Sequence, residues 1–304
     1  MTRSVPVSPV DLGLPEAARA AAPGDPPAEY IRARIDEQLR ALLENEQIAR
    51  QDVDPEGVHE MRVAVRRMRA ALRASGHPEA AQEELRWLGG VLGRIRDLDV
   101  LLGHLRGQAA DLSEDEQAAV ERLLSGLVEE RRRARRRMLD AFRGARYANL
   151  LRMLADLAMA DGRPAGKKTR QPQLVDVVAR PHRKLAKAAH ALDDDPADDD
   201  LHALRIKGKR LRYAAELAAP AGGKPVRQLI KATKVFQDIL GDHQDTVVAE
   251  AEVRRLLAEQ PDVDAGVVFV AGRLVEREQQ RRADRRARWR AAFEDVDRLA
   301  AELT

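Results

Sequence analysis

Apolar residues along this chain recur at helical spacing. Ile31, Ile35, Leu39 and Leu42 give one apolar face to the segment from Tyr30 to the Gln51–Asp54 stretch, with charged residues opposite, as in an amphipathic helix. Asp54-Pro55 supplies an N-cap and a first-turn proline for a second helix that ends near Ser75-Gly76. Leu85, Leu88, Leu92 and Ile95 mark a third, from about Pro78 to Arg106. Ser113 with Glu116 three residues on is a capping box for a fourth, running to about Phe142, and a short helix over Tyr147–Met159 follows. Gly162, Pro164, Gly166 and Pro172 make Asp161–Gln173 a linker, after which the pattern resumes over about 174–192, 199–218, 225–258 and 262–303. Residues 1–28 hold Pro6, Pro9, Pro15, Pro23, Pro26 and Pro27 among alanine and glycine and are expected to form a mobile tail. The expected fold is all-α, with antiparallel four-helix bundles at 29–160 and 174–304 joined by the 161–173 linker.

The halves repeat one another. His59-Glu-Met-Arg62-Val-Ala-Val-Arg66-Arg67-Met-Arg69 matches His202-Ala-Leu-Arg205-Ile-Lys-Gly-Lys209-Arg210-Leu-Arg212 at an offset of 143. Leu92-Gly93 and Asp97 match Leu240-Gly241 and Asp245 at an offset of 148, the difference fitting a small insertion such as Ala221–Lys224. Six arginines within 131–137 are echoed by six within 281–290. Matched order of this kind points to a duplicated bundle whose copies pack about a pseudo-twofold axis.

The repeated helix carries the candidate chemistry. At about 100° per residue, His59, Arg62, Arg66, Arg69 and Arg73 share one stripe, directly beside the core-facing Met61, Val65, Met68 and Leu72. His202, Arg205, Lys209 and Arg212 repeat that stripe beside Leu204, Gly208 and Leu211. From His59 to Arg73 the row spans roughly 21 Å, a length suited to an extended polyanion. Like charges three and four residues apart repel, so the row needs carboxylates or an anionic ligand to offset it. A lone arginine-rich face is most often simply solvated; recurrence in both halves favours a shared binding role. Arg86, its counterpart Lys234, and Lys231 one turn earlier are further candidates. The two arginine clusters point nearly all round their helices, so most of their members are expected to face water. Asp97, Asp99 and Asp245 read as helix-surface partners of basic residues, and the six aspartates of Asp193–Asp200 as support for the next helix start through its dipole.

Composition narrows the field. Charged residues make up 34% of the 304 against 3% aromatic, and there is no cysteine, so disulfides and thiolate metal sites are excluded. Met1–Leu14 has no apolar signal core and the longest apolar stretch, near Val267–Ala271, is too short for a bilayer, which predicts a cytoplasmic protein without membrane contact. Net charge is only +3, so the uneven placement of the 53 Lys and Arg residues matters more than their sum.

These motifs resemble the CHAD domain family, the conserved histidine α-helical domain. Its members carry a basic His-x-x-Arg-x-x-x-(Arg/Lys)-x-x-Arg helix followed by Leu-Gly-x-x-(Arg/Gln)-Asp, in two copies. Here these are His59, Arg62, Arg66 and Arg69 with Leu92–Asp97, and His202, Arg205, Lys209 and Arg212 with Leu240–Asp245, the likeness spanning roughly 30–303. The resemblance implies two helical bundles meeting at a basic cavity that binds inorganic polyphosphate, often in proteins associated with polyphosphate granules. Some relatives are fused to a CYTH triphosphatase-type domain marked by Glu-x-Glu-x-Lys on a strand; the nearest match here, Glu250-Ala-Glu252-Val-Arg254, has arginine for lysine and lies in a helical stretch.

The function expected is therefore non-catalytic polyphosphate binding, with no cofactor, no metal site and no catalytic residue. Nucleic acid is the main rival ligand, although Tyr30, Trp87, Tyr147, Tyr213 and Trp289 are not interleaved with the stripes for base stacking. A metal-dependent phosphohydrolase using the histidines with Asp97 or Asp245 is a second alternative, lacking the clustered carboxylates such chemistry needs. A helical scaffold recruiting proteins is a third.

Overall fold

The computed structural model describes residues 7–22, 25–74, 79–160, 176–259 and 263–303. Among these there is no strand. The first half comprises α1 (Pro27–Gln51), α2 (Glu56–Ala74), α3 (Glu79–Gln108), α4 (Glu114–Arg143) and the short α5 (Ala145–Met159). The second comprises α6 (Asp176–His190), α7 (Asp198–Ala258), α8 (Ala265–Arg286) and α9 (Trp289–Ala301). The turn read at Ser75–Pro78 and the linker at 161–173 lie outside the described residues.

Local signals act as read. The Ser113 side chain accepts from the Glu116 backbone while the Glu116 carboxylate accepts from the Ser113 backbone, closing the capping box of α4. Asp54 accepts from the Glu56 backbone ahead of α2, and Asp264 accepts from the Val267 backbone to cap α8.

In the second half the helices expected at 199–218 and 225–258 form one run, α7, broken at Gly223. There φ is 60° and ψ −142°, a backbone region essentially reserved for glycine. The break folds the second arm back on the first, so that the Phe236 ring lies over Gly208; a Cβ at 208 would stand 2.8 Å from the ring. The stretch expected as one helix over 262–303 is instead two, α8 and α9, parted at Ala287–Arg288. The turn sends Trp289, Phe293 and Val296 into the core, where Phe293 meets Phe236 with ring centroids 6.2 Å apart. No glycine or proline marks that break, which is why periodicity alone ran through it. With α7 counted as two arms, each half has four long or medium helices and a short closing one, and the order α1–α5 is repeated.

The expected mobile tail needs correction over residues 7–22, which lie packed on the first half. Leu14 is buried, the Arg40 guanidinium donates to the carbonyls of Pro15, Glu16 and Ala17, and the Arg19 backbone donates to Asp36 at 2.6 Å. Arg19 also donates to the Ala158 carbonyl, tying the segment to α5. A proline-rich stretch buries little of its own surface, but its carbonyls suit an arginine already anchored on α1.

Both halves hold a continuous apolar core. Ile35, Leu39 and Leu42 of α1 share one core with Met61, Met68 and Leu72 of α2 and Leu85, Leu88 and Leu92 of α3, all at 0% exposure. Across the molecule α2 packs on α7 and α4 on α8, each helix meeting its own repeat counterpart, as a pseudo-twofold axis requires. Gly223→Ala should lower stability by about 1–3 kcal/mol, because an added methyl meets no neighbour and only backbone strain is at stake. Urea unfolding checks this: the midpoint falls while the slope is unchanged.

Candidate anion site at the junction of the halves

The repeated Leu-Gly motif positions the repeated arginine. Gly93 of α3 leaves a bare strip over which Arg62 of α2 lies, its Nη1 donating to the Gly93 carbonyl at 2.7 Å and to Asp97 Oδ1 at 2.9 Å. A Cβ at position 93 would stand 3.2 Å from that Nη1. In the second half Arg205 lies over Gly241 in the same manner, with Nε and Nη2 each 3.7 Å from where a Cβ would be. The Arg205 Nε is buried without a hydrogen-bond partner among the described residues, an unmet demand for an acceptor.

The stripes converge across the α2–α7 contact. Arg66 of the first half acts on Arg205, and both Arg62 and Arg66 act on Lys209, all raising the cost of carrying another positive charge there. Lys209 is half-buried, and burial together with those arginines brings its ammonium down to about 7. Further along α2, the half-buried Arg69 is held below the usual guanidinium range by burial and by Arg86 and Arg210, and Arg73, exposed at the end of the stripe, is lowered in the same direction by partial desolvation and by Arg69, Arg210 and Arg86. The structure thus brings together Arg62, Arg66, Arg205 and Lys209, and beside them Arg69, Arg73 and Arg86.

The other sequence candidates fare differently. His59 sits half-buried at the head of its stripe, lowered by burial and by the adjacent Arg96. His202 instead meets Gln244, the repeat counterpart of Arg96, with Nδ1 2.6 Å from Oε1. Arg212 donates to Glu216 at 2.9 Å, and Arg67 of α2 donates to the other oxygen of that carboxylate at 3.0 Å, so Arg212 latches the halves together. Lys231 and Lys234 are exposed on the second arm of α7, and neither is among the leading charges acting on Arg69, Arg73, Arg205 or Lys209. Sequence reasoning left Arg96, Arg210 and Gln244 out of the site; the repeat alignment itself was the signal, since each occupies a position matched in the other half.

The arginine clusters have an internal task. Arg131 binds Asp52 and Asp99, and Arg135 binds Asp52 at 3.0 Å, clasping the turn that leads into α2. Arg286 binds Asp195 at 2.8 Å and Asp198, clasping the turn into α7; Asp195 follows Asp52 at the same 143-residue offset. The acidic loop therefore serves as counter-charge to α8 and α9 as well as to its own helix start.

A family model described as the CHAD domain matches residues 33–254. The chain belongs to the CHAD family. Two uncharacterised proteins from strains of Mycobacterium tuberculosis are each 35% identical over 236 residues, covering 74% of this chain and 45% of theirs, so the chain spans about half the length of these curated relatives. Among solved structures, the CHAD domain from the plant Ricinus communis superposes with a TM-score of 0.74 at 28% identity, covering 96% of this chain and 97% of that one. PptA from Streptomyces chartreusis has the same fold, with a TM-score of 0.69 at 19% identity over 89% of this chain and all of that one. As in the Ricinus CHAD domain, the likeness takes in both halves.

Two more features bear on what this CHAD unit can do. Glu56, His59 and Glu60 place three ligand-capable atoms within 4.8 Å of one another at the start of α2, a grouping the sequence reading did not anticipate. Clefts of about 300 and 180 Å³ open beside α4, at Arg106, Gln117 and Glu121 and at Arg94, Glu130, Arg133 and Arg137, and no stripe residue lines either. No helix among the described residues is long and apolar enough to cross a membrane.

The two motif glycines can be told apart by stability. Alanine normally gains about 0.5–1 kcal/mol over glycine inside a helix. Gly241→Ala should realise most of that gain, whereas Gly93→Ala should lose it to the tighter contact with Arg62; thermal unfolding of the two variants gives the order directly.

Proposed function

We propose that this chain binds inorganic polyphosphate without acting on it, along the junction where the two stripes meet. The observation that carries the reading is the convergence of Arg62 and Arg66 with Arg205 and Lys209 from opposite halves, with the Arg205 Nε buried and unpartnered. Guanidinium groups bind phosphoryl oxygens through paired hydrogen bonds, while an ammonium acts as a point charge. A chain of linked phosphates presents such oxygens at every unit, so it can satisfy a row of cations that one small anion cannot. The family resemblance supports the same ligand, and supports association with polyphosphate granules in the cell.

Nucleic acid offers similar charge but also bases that need aromatic partners. Trp289 and Tyr147 are core residues, Tyr30 is tied to the Ala22 carbonyl, and Trp87 lies under the Arg146 guanidinium at 4.4 Å. Only Tyr213 is half-buried near Arg205. That leaves little for base stacking.

Titration of a labelled long-chain polyphosphate tests the proposal. Replacing Arg62, Arg66, Arg205 and Lys209 together by alanine should weaken binding at least about hundredfold, since each charge-assisted bond contributes about 1.5–3 kcal/mol. Replacing the exposed Arg132 and Arg136, which pair with Glu129 at 3.4 and 3.5 Å, should change it little. Affinity should fall steeply as salt rises. Equal loss in both variants would show nonspecific attraction, and release of free phosphate in the presence of magnesium or manganese would show an enzyme instead.

A further inference from the structure

The two stripes are not chemically equivalent at their meeting point. Position 66 is arginine in the first half; its repeat counterpart, position 209, is lysine. A guanidinium keeps its proton at any pH a protein experiences, whereas an ammonium gives it up when desolvated among like charges. Four cations crowd the junction, so the one able to relieve the repulsion by deprotonating is Lys209.

The surroundings of Lys209 reinforce this. From α2 it is faced by Arg62 and Arg66, from its own arm of α7 by Arg205, and from the second arm by Asp245, the one carboxylate among its leading neighbours. Asp245 is itself pushed up by burial and divided between Arg205, His104 of α3 and Lys209, with Asp242 adding negative charge on its own arm. Asp97 of α3 acts on Arg205 and is already bonded to Arg62. Lys209 makes no ion pair with any carboxylate among the described residues, unlike most of the arginines of α4 and α8. His59 lies at the other end of the stripe, and burial holds it below the ordinary histidine range, so its titration falls at more acid pH.

Resting on the polyphosphate reading above, we infer that binding at the junction is coupled to uptake of a proton by Lys209, which makes the site a pH-responsive clamp that grips phosphate chains in neutral to mildly acidic surroundings and loosens as pH rises. With no ligand, Lys209 gives up its proton near neutrality. An arriving phosphate chain supplies the counter-charge that the three arginines deny it, so the ammonium form is restored in the complex. The sign follows: below about pH 7 the lysine is already charged and affinity is at its plateau. Above it, each bound chain must bring a proton with it, and affinity falls by up to about tenfold per pH unit until the lysine of the complex also titrates.

The test is polyphosphate affinity measured from about pH 6 to about pH 9 at fixed ionic strength, for the native chain and for Lys209→Arg. The ligand's own titration is common to both proteins and cancels in the comparison. The native chain should lose about tenfold per unit above neutrality, and Lys209→Arg should lose that added slope. Calorimetry of the native chain near pH 8 in two buffers of different ionisation enthalpy provides a reading that needs no variant, with uptake approaching one proton per occupied junction. Identical slopes in the two proteins, or no proton uptake near pH 8, overturn the inference while leaving the ligand standing. Absence of binding at every pH, the most acid included, removes the ligand reading and this inference with it.

Discussion

Cations of one sign are forced together between the two halves, and the rest of the molecule is arranged around tolerating it. Like charges a helical turn apart cost only a few tenths of a kcal/mol on an open surface. The cost grows as neighbouring protein replaces water, because the same charges then interact through a lower effective dielectric. Nothing within a basic stripe would hold it against another. The holding force comes from behind: Met61, Met68 and Leu72 on α2, and Leu211 on α7 with Phe236 on its second arm, are at 0% exposure, so turning either helix to separate the stripes would pull apolar surface into water. Glu216 adds a direct latch, accepting from Arg212 in its own half and from Arg67 in the other, while its backbone carbonyl accepts from Arg34.

The duplication explains how such an arrangement arises from one local design used twice. In each copy a glycine on the third helix lets an arginine from the second lie flat across it. In each, an arginine on the fourth helix holds an aspartate in the preceding turn. The departures from symmetry are as informative as the matches. Val65 packs at 3.5 Å from the Cβ position of Gly89, while their counterparts are Gly208 and Gln237, so large and small have changed places across the same contact. His59 faces Arg96 where His202 faces Gln244, and Arg66 is answered by Lys209. The two halves share a scaffold and divide the electrostatic work unequally.

Most of the fold and the meeting of the two basic stripes could be read from the sequence, because both rest on periodicities that a helix imposes. Apolar spacing placed the helices, and the His-x-x-Arg repeat placed the stripes beside the core and paired them. What escaped depended on long-range partners that local pattern does not encode. The packed segment at 7–22 is fixed by Arg40 and Asp36, which look like ordinary surface charges of α1. The break before Trp289 has no glycine or proline, only a core that requires the tryptophan. Lys231 and Lys234 carried the right charge on the repeated helix but face solvent, since a counterpart in register need not point at the same neighbour.

Basicity alone therefore does not find this site. The chain holds 53 Lys and Arg residues against 50 Asp and Glu, and the densest arginine runs, around 131–137 and 281–290, are largely tied to carboxylates or carbonyls of the chain itself. Guanidinium nitrogens without a hydrogen-bond partner occur in those runs too, at Arg135, Arg281 and Arg285, as at Arg205; what sets the junction apart is that cations of both halves meet there with little carboxylate between them, Lys209 having no ion pair among the described residues and Asp245 being divided among several bases. A fold selected only for stability would pair such groups or replace them with apolar ones, since withdrawing a basic group from water without a counter-charge is costly. Their presence on helices so firmly anchored from behind is the physical ground on which the proposal of an anionic ligand rests.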